Sequence, residues 1–177
     1  MANRRPEPPI VVRDATDADI SPALRLFQSV AAERRWIGRE PPVDEDALAR
    51  RWRDHLTNDN EAFFVADDAG RIVGMATMKW VGASELGMLV ADESRGRGIG
   101  RALLTACLRW ARAANVHKIE LKVWPHNEAA IALYGRFGFE REGYLKRHYR
   151  RSSGELWDCV VMGLQLPVDG GHDEGGN

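Results

Sequence analysis

The chain has 177 residues, the length of a single domain, and its 44% apolar and 29% charged residues describe a globular protein with enough chain for a real core. Its apolar runs are only a few residues long, against the roughly 18 that a membrane helix needs, which excludes an integral helical membrane protein. Twenty-five basic against 26 acidic side chains, a formal charge of −1, give no global attraction for nucleic acid or an anionic surface.

In chain order, residues 1–8 are polar and proline-rich. They run into prolines rather than an apolar h-region, so no signal peptide is expected and a cytoplasmic location follows. Ile10-Val11-Val12 reads as a first strand. Thr16 and Asp17 are candidate caps for a helix through Leu24, Phe27, Val30 and Ala31. Glu40-Pro41-Pro42 ends that helix, and a second opens on the acidic Asp44-Glu45-Asp46 turn and carries Leu48, Trp52 and His55 or Leu56. Phe63 to Ala66, the turn Asp67 to Gly70, and Ile72 to Trp80 read as a hairpin. Ser84 to Val90 is another strand. Ile99, Leu103, Ala106 and Trp110 then fall at helical spacing.

His117 to Val123 alternates as a half-buried strand, and Glu128 to Arg136 is a short helix. Phe139 to Arg150 and Leu156 to Leu166 close the chain as two strands around a turn at Ser152-Ser153-Gly154. Residues 168–177 form a Gly/Asp tail that, like 1–8, buries too little apolar surface to order. The order β-α-α-β-β-β-α-β-α-β-β over residues 9–167, without repeats or an internal linker, predicts one α/β domain around a mixed sheet.

The most informative stretch is Arg95-Gly96-Arg97-Gly98-Ile99-Gly100-Arg101, between a strand and an amphipathic helix. Glycines there let backbone approach a ligand, and free N–H groups at a helix start attract an anion, so three arginines beside them fit a phosphate-bearing ligand. The register fails the dinucleotide pattern, since the sixth residue from Gly96 is Arg101 and from Gly98 is Leu103; no Gly-Lys-Ser/Thr follows either.

Arg95-x-x-Gly98-x-Gly100 resembles the pyrophosphate loop of the GNAT N-acetyltransferase superfamily. Asn127-x-x-Ala130-x-x-Leu133-Tyr134-x-x-Phe137-Gly138-Phe139 is similar to that superfamily's second motif. The resemblance covers residues 10–166 in layout and 86–139 in motif detail. It implies a mixed, mostly antiparallel twisted sheet flanked by helices on both faces, with the strand ending near Val90 splayed from the one ending near Val123. It also implies acetyl-CoA as co-substrate. Backbone from Gly96 through Arg97, Gly98, Ile99 and Gly100 to Arg101 would hold the pyrophosphate, and Met88, Leu89 and Val90 would line the pantetheine arm. An N–H around Leu89 or Val90 would face the thioester oxygen, Asn127 would reach the CoA arm while capping its helix, and Tyr134 would protonate the leaving thiolate.

Some N-terminal acetyltransferases of the ribosomal-protein type place a glutamate five residues before the motif asparagine; here that residue is Lys122, which cannot act as a carboxylate base. Glu85 is either the substitute, directly or through water, or an exposed strand residue, with Asp158 and Glu33 as weaker candidates. Weak base assistance favours α-amines, or small amines of lowered pKa, over lysine-like amines. The segment 33–42 is expected to wall the acceptor site, with Trp36 packing on the acceptor or stapling the helix end, and Glu33 or Glu40 drawing a cation. Trp157 beside Asp158 would edge the cleft or fill the core. The basic run Lys146 to Arg151 is either a contact for an acidic partner or ribosomal RNA, or a solvated hairpin tip.

His55, His117, His126, His148 and His172 show no metal-ligand spacing, so no metal is expected, and Cys107 and Cys159 read as small core residues. The implied reaction is acetyl transfer to a primary amine, on a small molecule or a protein N-terminus, by direct attack in a ternary complex. The alternative is an acyl-CoA-binding sensor or docking module without turnover. Net charge and the lack of a recognition motif argue against a nucleic-acid partner, and a homodimer is compatible with the resemblance because many relatives pair.

Overall fold

The computed structural model describes residues 9–168, so residues 1–8 and, apart from Val168, the expected Gly/Asp tail with His172 lie outside the described residues. Seven strands and four α-helices follow the expected order: β1 (Val11–Asp14), α1 (Ile20–Ala32), α2 (Glu45–Thr57), β2 (Glu61–Asp68), β3 (Arg71–Val81), β4 (Ala83–Val90), α3 (Ile99–Ala113), β5 (Lys118–Val123), α4 (Glu128–Arg136), β6 (Glu140–Arg150) and β7 (Leu156–Gln165). They form one sheet in the order β1-β2-β3-β4-β5-β7-β6. Every neighbouring pair is antiparallel except β4 and β5, which run parallel.

The unbroken apolar run on β2 reflects burial on both faces. Phe63 and Val65 join α1 and α2 in one core. Ala62, Phe64 and Ala66 join α3 and β5 in the other, as period-2 alternation requires. Gly74 on β3 lets α3 come close: a Cβ there would stand 2.8 Å from Ile99 Cγ2 and 3.1 Å from Leu103 Cδ1. This contact sets where α3 begins, and with it the glycine-rich turn.

Helix starts differ from expectation at one point. Thr16 precedes a short 3-10 turn over Asp17–Asp19, and α1 itself begins at Ile20. Asp19 is buried and accepts two hydrogen bonds from Arg13, at 2.7 and 2.9 Å, and one each from Thr16 N and Oγ1. The Arg13 bonds above all hold its carboxyl down, from 3.8 to about 2. A carboxylate with a depressed folded pKa stabilises the fold above its unfolded pKa and loses that contribution as pH falls through the folded value. The melting-temperature gap between the native protein and Asp19→Asn is therefore expected to be full at pH 7 and to close between about pH 4 and pH 2. A gap independent of pH in thermal melts would refute this.

Candidate active site

The site lies where the sheet opens. β4 and β5 pair only at Ser84 with Ile119 and Glu85 with Glu120, and beyond these positions the two strands diverge. Ala91 N donates to Val73 O on β3, so by strand alternation the N–H groups of Val90 and Met88 turn towards the gap. Of the two expected oxyanion donors, Val90 has this orientation and Leu89 faces β3. A cleft of about 840 Å³ runs into the gap, lined by Met88, Leu89 and Val90 on one side and by Val123, Leu133 and Tyr134 on the other.

At its mouth the glycine-rich turn lines the cleft through Arg95, Gly96, Gly98, Ile99, Gly100 and Arg101. Gly96 and Gly98 adopt φ of 77° and 81°, the left-handed region that favours glycine. Gly98 opens α3 with no side-chain cap, whereas Asp44 caps α2 by accepting from Ala47 N at 2.9 Å. The first-turn N–H groups of α3 therefore remain available for an anion. A Cβ on Gly100 would come within 3.1 Å of Leu133 Cδ2, so glycine keeps this wall open. Ser94, fully buried just before the turn, lines the same cleft, and its Oγ has no partner among the described residues. An orphaned hydroxyl, uncapped N–H groups and an unpaired strand edge suit a ligand that is both amide-rich and phosphorylated, as acetyl-CoA is.

The arginines of the turn behave differently from one another. Arg95 donates to both Glu33 oxygens, at 2.6 and 2.8 Å, to Asp92 at 2.7 Å and to Val90 O at 3.2 Å. Arg97 reaches Asp68 at 2.9 Å and does not line the cleft. Arg101 lines it without an ion pair among the described residues.

Asn127 caps α4, accepting from Ala130 N at 3.2 Å, and also lines the cleft. Tyr134 is only 7% exposed and packs against Phe139, with ring centroids 5.6 Å apart. Its hydroxyl has no protein partner among the described residues, yet is not among the enclosed, unpaired polar atoms, which leaves it open to the cleft. Burial raises its pKa, so it stays protonated across the physiological range.

The expected acceptor residues are rearranged. Trp36 lines the cleft and is also stapled, donating from Nε1 to Glu33 at 2.7 Å. Glu33 is thus doubly engaged, and the Arg95 hydrogen bonds keep its carboxyl below the ordinary range. Glu40 accepts from Ser152 N at 2.7 Å and Oγ at 3.1 Å and lies 3.3 Å from Arg151. Asp158 accepts from Arg147 N and Tyr144 Oη, both at 2.7 Å, which lower its pKa. None of these three carboxylates lines the cleft, and neither does Glu85, an exposed residue of β4. Trp157 lies one layer behind, edge-on to Trp124 with centroids 5.3 Å apart.

Most of the basic run is solvated, as one of the two readings expected: Lys146, Arg147, His148 and Arg150 are exposed, on β6 rather than at the 152–154 turn, and Arg151 alone is buried, at 4% exposed. Its guanidinium donates to the carbonyls of Arg34, Ile37 and Gly38 and stacks 4.3 Å over Trp157. Ser94, Trp124 and Tyr149 line the cleft without any signal in the sequence, whereas Lys122, which also lines it, carried one through its position before Asn127. Among the described residues no group of three or more His, Cys, Asp or Glu is placed to hold a metal, and no helix is long and apolar enough to cross a membrane.

Residues 25–139 match the family model described as Acetyltransferase (GNAT) family. The chain is 32% identical over 165 residues to an L-methionine sulfoximine/L-methionine sulfone acetyltransferase of Pseudomonas aeruginosa, spanning 88% of this chain and 94% of that one. A crystal structure of a ribosomal-protein-alanine N-acetyltransferase from Brucella melitensis superposes with TM-score 0.80 at 31% identity, covering 88% of this chain and 99% of that one. A Salmonella typhimurium acetyltransferase with its cofactor acetyl-CoA shares the fold, with TM-score 0.83 at 21% identity over 94% and 99% of the two chains. The open-edged cleft and its glycine turn thus belong to an acetyltransferase scaffold. The chain is a member of the GNAT acetyltransferase family.

Proposed function

We propose that the protein is an acetyl-CoA-dependent N-acetyltransferase that acetylates an α-amine by direct attack in a ternary complex. The observation that carries this is the alignment, in one cleft, of an anion-binding helix start, a gap-facing N–H at Val90 and the protonated Tyr134 hydroxyl. The relatives in Pseudomonas aeruginosa and Brucella melitensis act on acceptors that each contain an α-amine, which supports the same acceptor group here.

In the reaction the amine nitrogen bonds to the thioester carbonyl carbon, and the Val90 N–H stabilises the charge growing on the carbonyl oxygen. The C–S bond then breaks and Tyr134 gives its proton to the departing sulfur. The proton lost by the amine passes to solvent, and the phenol is reprotonated from solvent. Glu85 lies outside the cleft lining, so as the base it would act through water. The turn from Gly96 to Arg101 and the β4 segment from Met88 to Val90 hold the co-substrate, with Asn127 at the α4 start.

The test is free-thiol release from acetyl-CoA against a panel of amines. Acceptor-dependent release supports the enzyme, whereas CoA binding without release would favour a sensor. Gly98→Val introduces a side chain at φ 81°, costing about 1–2 kcal/mol of backbone strain in the turn. The expected result is a rise of about 10-fold in the KM for acetyl-CoA. An unchanged KM would remove the turn from the binding site.

A further inference from the structure

We infer that the acceptor is a free α-amino acid with an apolar side chain, and that Lys122 receives its carboxylate. This rests on the acetyl-transfer reading above and narrows it to one substrate class.

Lys122 sits on β5 just past the last pair with β4, so it borders the gap. Leu121 and Val123 face the core under α3 and α4, so alternation directs Lys122 to the opposite face. There it lines the cleft with Trp36, Ile37, Gly38 and Tyr149. Its charge is close enough to oppose the rise that burial imposes on the Tyr149 phenol and the Cys159 thiol. Glu85 and Glu120 share that face at the last β4–β5 pair, one step back from the gap, and neither forms an ion pair with Lys122 among the described residues.

Charge selects the ligand. Among the described residues no carboxylate lines the cleft; its charged lining is Arg95, Arg101, Lys122 and Arg136. Arg101 and Arg136 belong to the glycine turn and α4, and Arg95, which reaches to the Trp36 ring, is engaged by Glu33 and Asp92. Lys122 is the lining cation at the acceptor end with no ion pair among the described residues. A polyamine, with several positive charges, meets a cation in the lining there and no lining anion. Of the nearby carboxylates, Glu33 is engaged by Arg95 and Trp36 and Glu40 by Ser152 and Arg151, while Glu85 and Glu120 stand one step back, outside the cleft lining.

Shape selects as well. Arg151 and Ser152 bond the 33–42 segment directly to the β6–β7 turn. These bonds tie the two walls of the acceptor end to each other. Their aromatic and apolar surfaces, from Trp36, Ile37, Trp124 and Tyr149, suit an apolar side chain. Lys122 also acts on the amine: a nearby like charge disfavours the ammonium form, so the cation that anchors the carboxylate helps to keep the nucleophile neutral where no carboxylate base lines the cleft.

The test compares L-methionine with L-methioninamide, matched in size but not in charge, beside an alanine-initiated hexapeptide and spermidine. The expected kcat/KM for the acid exceeds that for the amide by about 10- to 100-fold, the range of a charge-assisted hydrogen bond. In Lys122→Gln the acid-to-amide ratio falls towards one, and Lys122→Arg restores part of it. Equal use of acid and amide by the native protein, an unchanged ratio in Lys122→Gln, or preference for the peptide or spermidine would overturn the inference. Calorimetric titration of L-methionine into the CoA-loaded protein separates the two readings. Binding that is lost in Lys122→Gln, without thiol release, would uphold the carboxylate site and refute acetyl transfer alone; no binding and no turnover with either acceptor would overturn both.

Discussion

Tyr134→Phe is expected to lower kcat by about 10²- to 10³-fold and to leave the KM for acetyl-CoA within about twofold, the signature of a lost general acid. The substitution removes one oxygen. The ring keeps its packing on Phe139, 5.6 Å between centroids, so fold and cleft shape are preserved. The hydroxyl has no protein partner among the described residues, so its removal leaves no buried group unsatisfied. Stability should barely move, which separates this outcome from a structural role. Because burial raises the phenol's pKa, activity should not fall with rising pH until well above the ordinary tyrosine range near 10. Stopped-flow thiol detection with saturating amine reads the effect, and a kcat within threefold of the native value would exclude Tyr134 as the proton donor.

Arg151→Ala is expected to produce the largest loss of stability, about 3–5 kcal/mol, the scale for removing one partner from a buried ionic network. For a domain of this size that corresponds to a melting temperature lower by roughly 6–20 °C. The guanidinium serves three carbonyls on the 33–42 segment and stacks between that segment and Trp157. Without it, those carbonyls lose their donors and Glu40 loses its closest cation. Arg151→Lys keeps the charge but lacks the planar fork that reaches three acceptors at once, so it should recover only part of the loss. Because the segment carries Trp36, Ile37 and Gly38 into the cleft, the acceptor KM should rise further than the acetyl-CoA KM in both variants. A melt shift below about 2 °C would show that the segment is held by other contacts.

The two arginine networks show why part of the site was unreadable along the chain. Arg95 stands first in the glycine motif, and the motif says nothing of Glu33, which lies 62 positions away and takes two of its hydrogen bonds. Arg151 is the one buried member of a basic run that is otherwise exposed. The pairing of β6 with β7 is irregular between Leu145 and Tyr149. Arg147 there has φ 52° and donates its N–H to Asp158. That irregularity re-aims the side chains that follow, and nothing in the order of residues announces it. Glu33, Glu40 and Asp158 were legible as carboxylates near the acceptor end, yet Glu33 and Glu40 are engaged by donors from distant segments and Asp158 by the neighbouring strand of its hairpin.

What the amino-acid order determined alone is what short-range physics controls. The apolar periodicity marked seven strands and four helices in the right sequence. Asp44 and Asn127 cap the helices they precede because a side-chain oxygen needs only the N–H three residues on. The glycine turn was legible because its left-handed φ values are a local demand. The family resemblance implied that β4 and β5 splay, and only the tertiary structure decided that they part after two pairs. It also placed Lys122 beside the gap and put Glu33 and Glu40 in the grip of arginines. Those outcomes depend on strand register and on contacts between segments tens of residues apart, which form only when whole elements pack, so no window of neighbouring residues contains them.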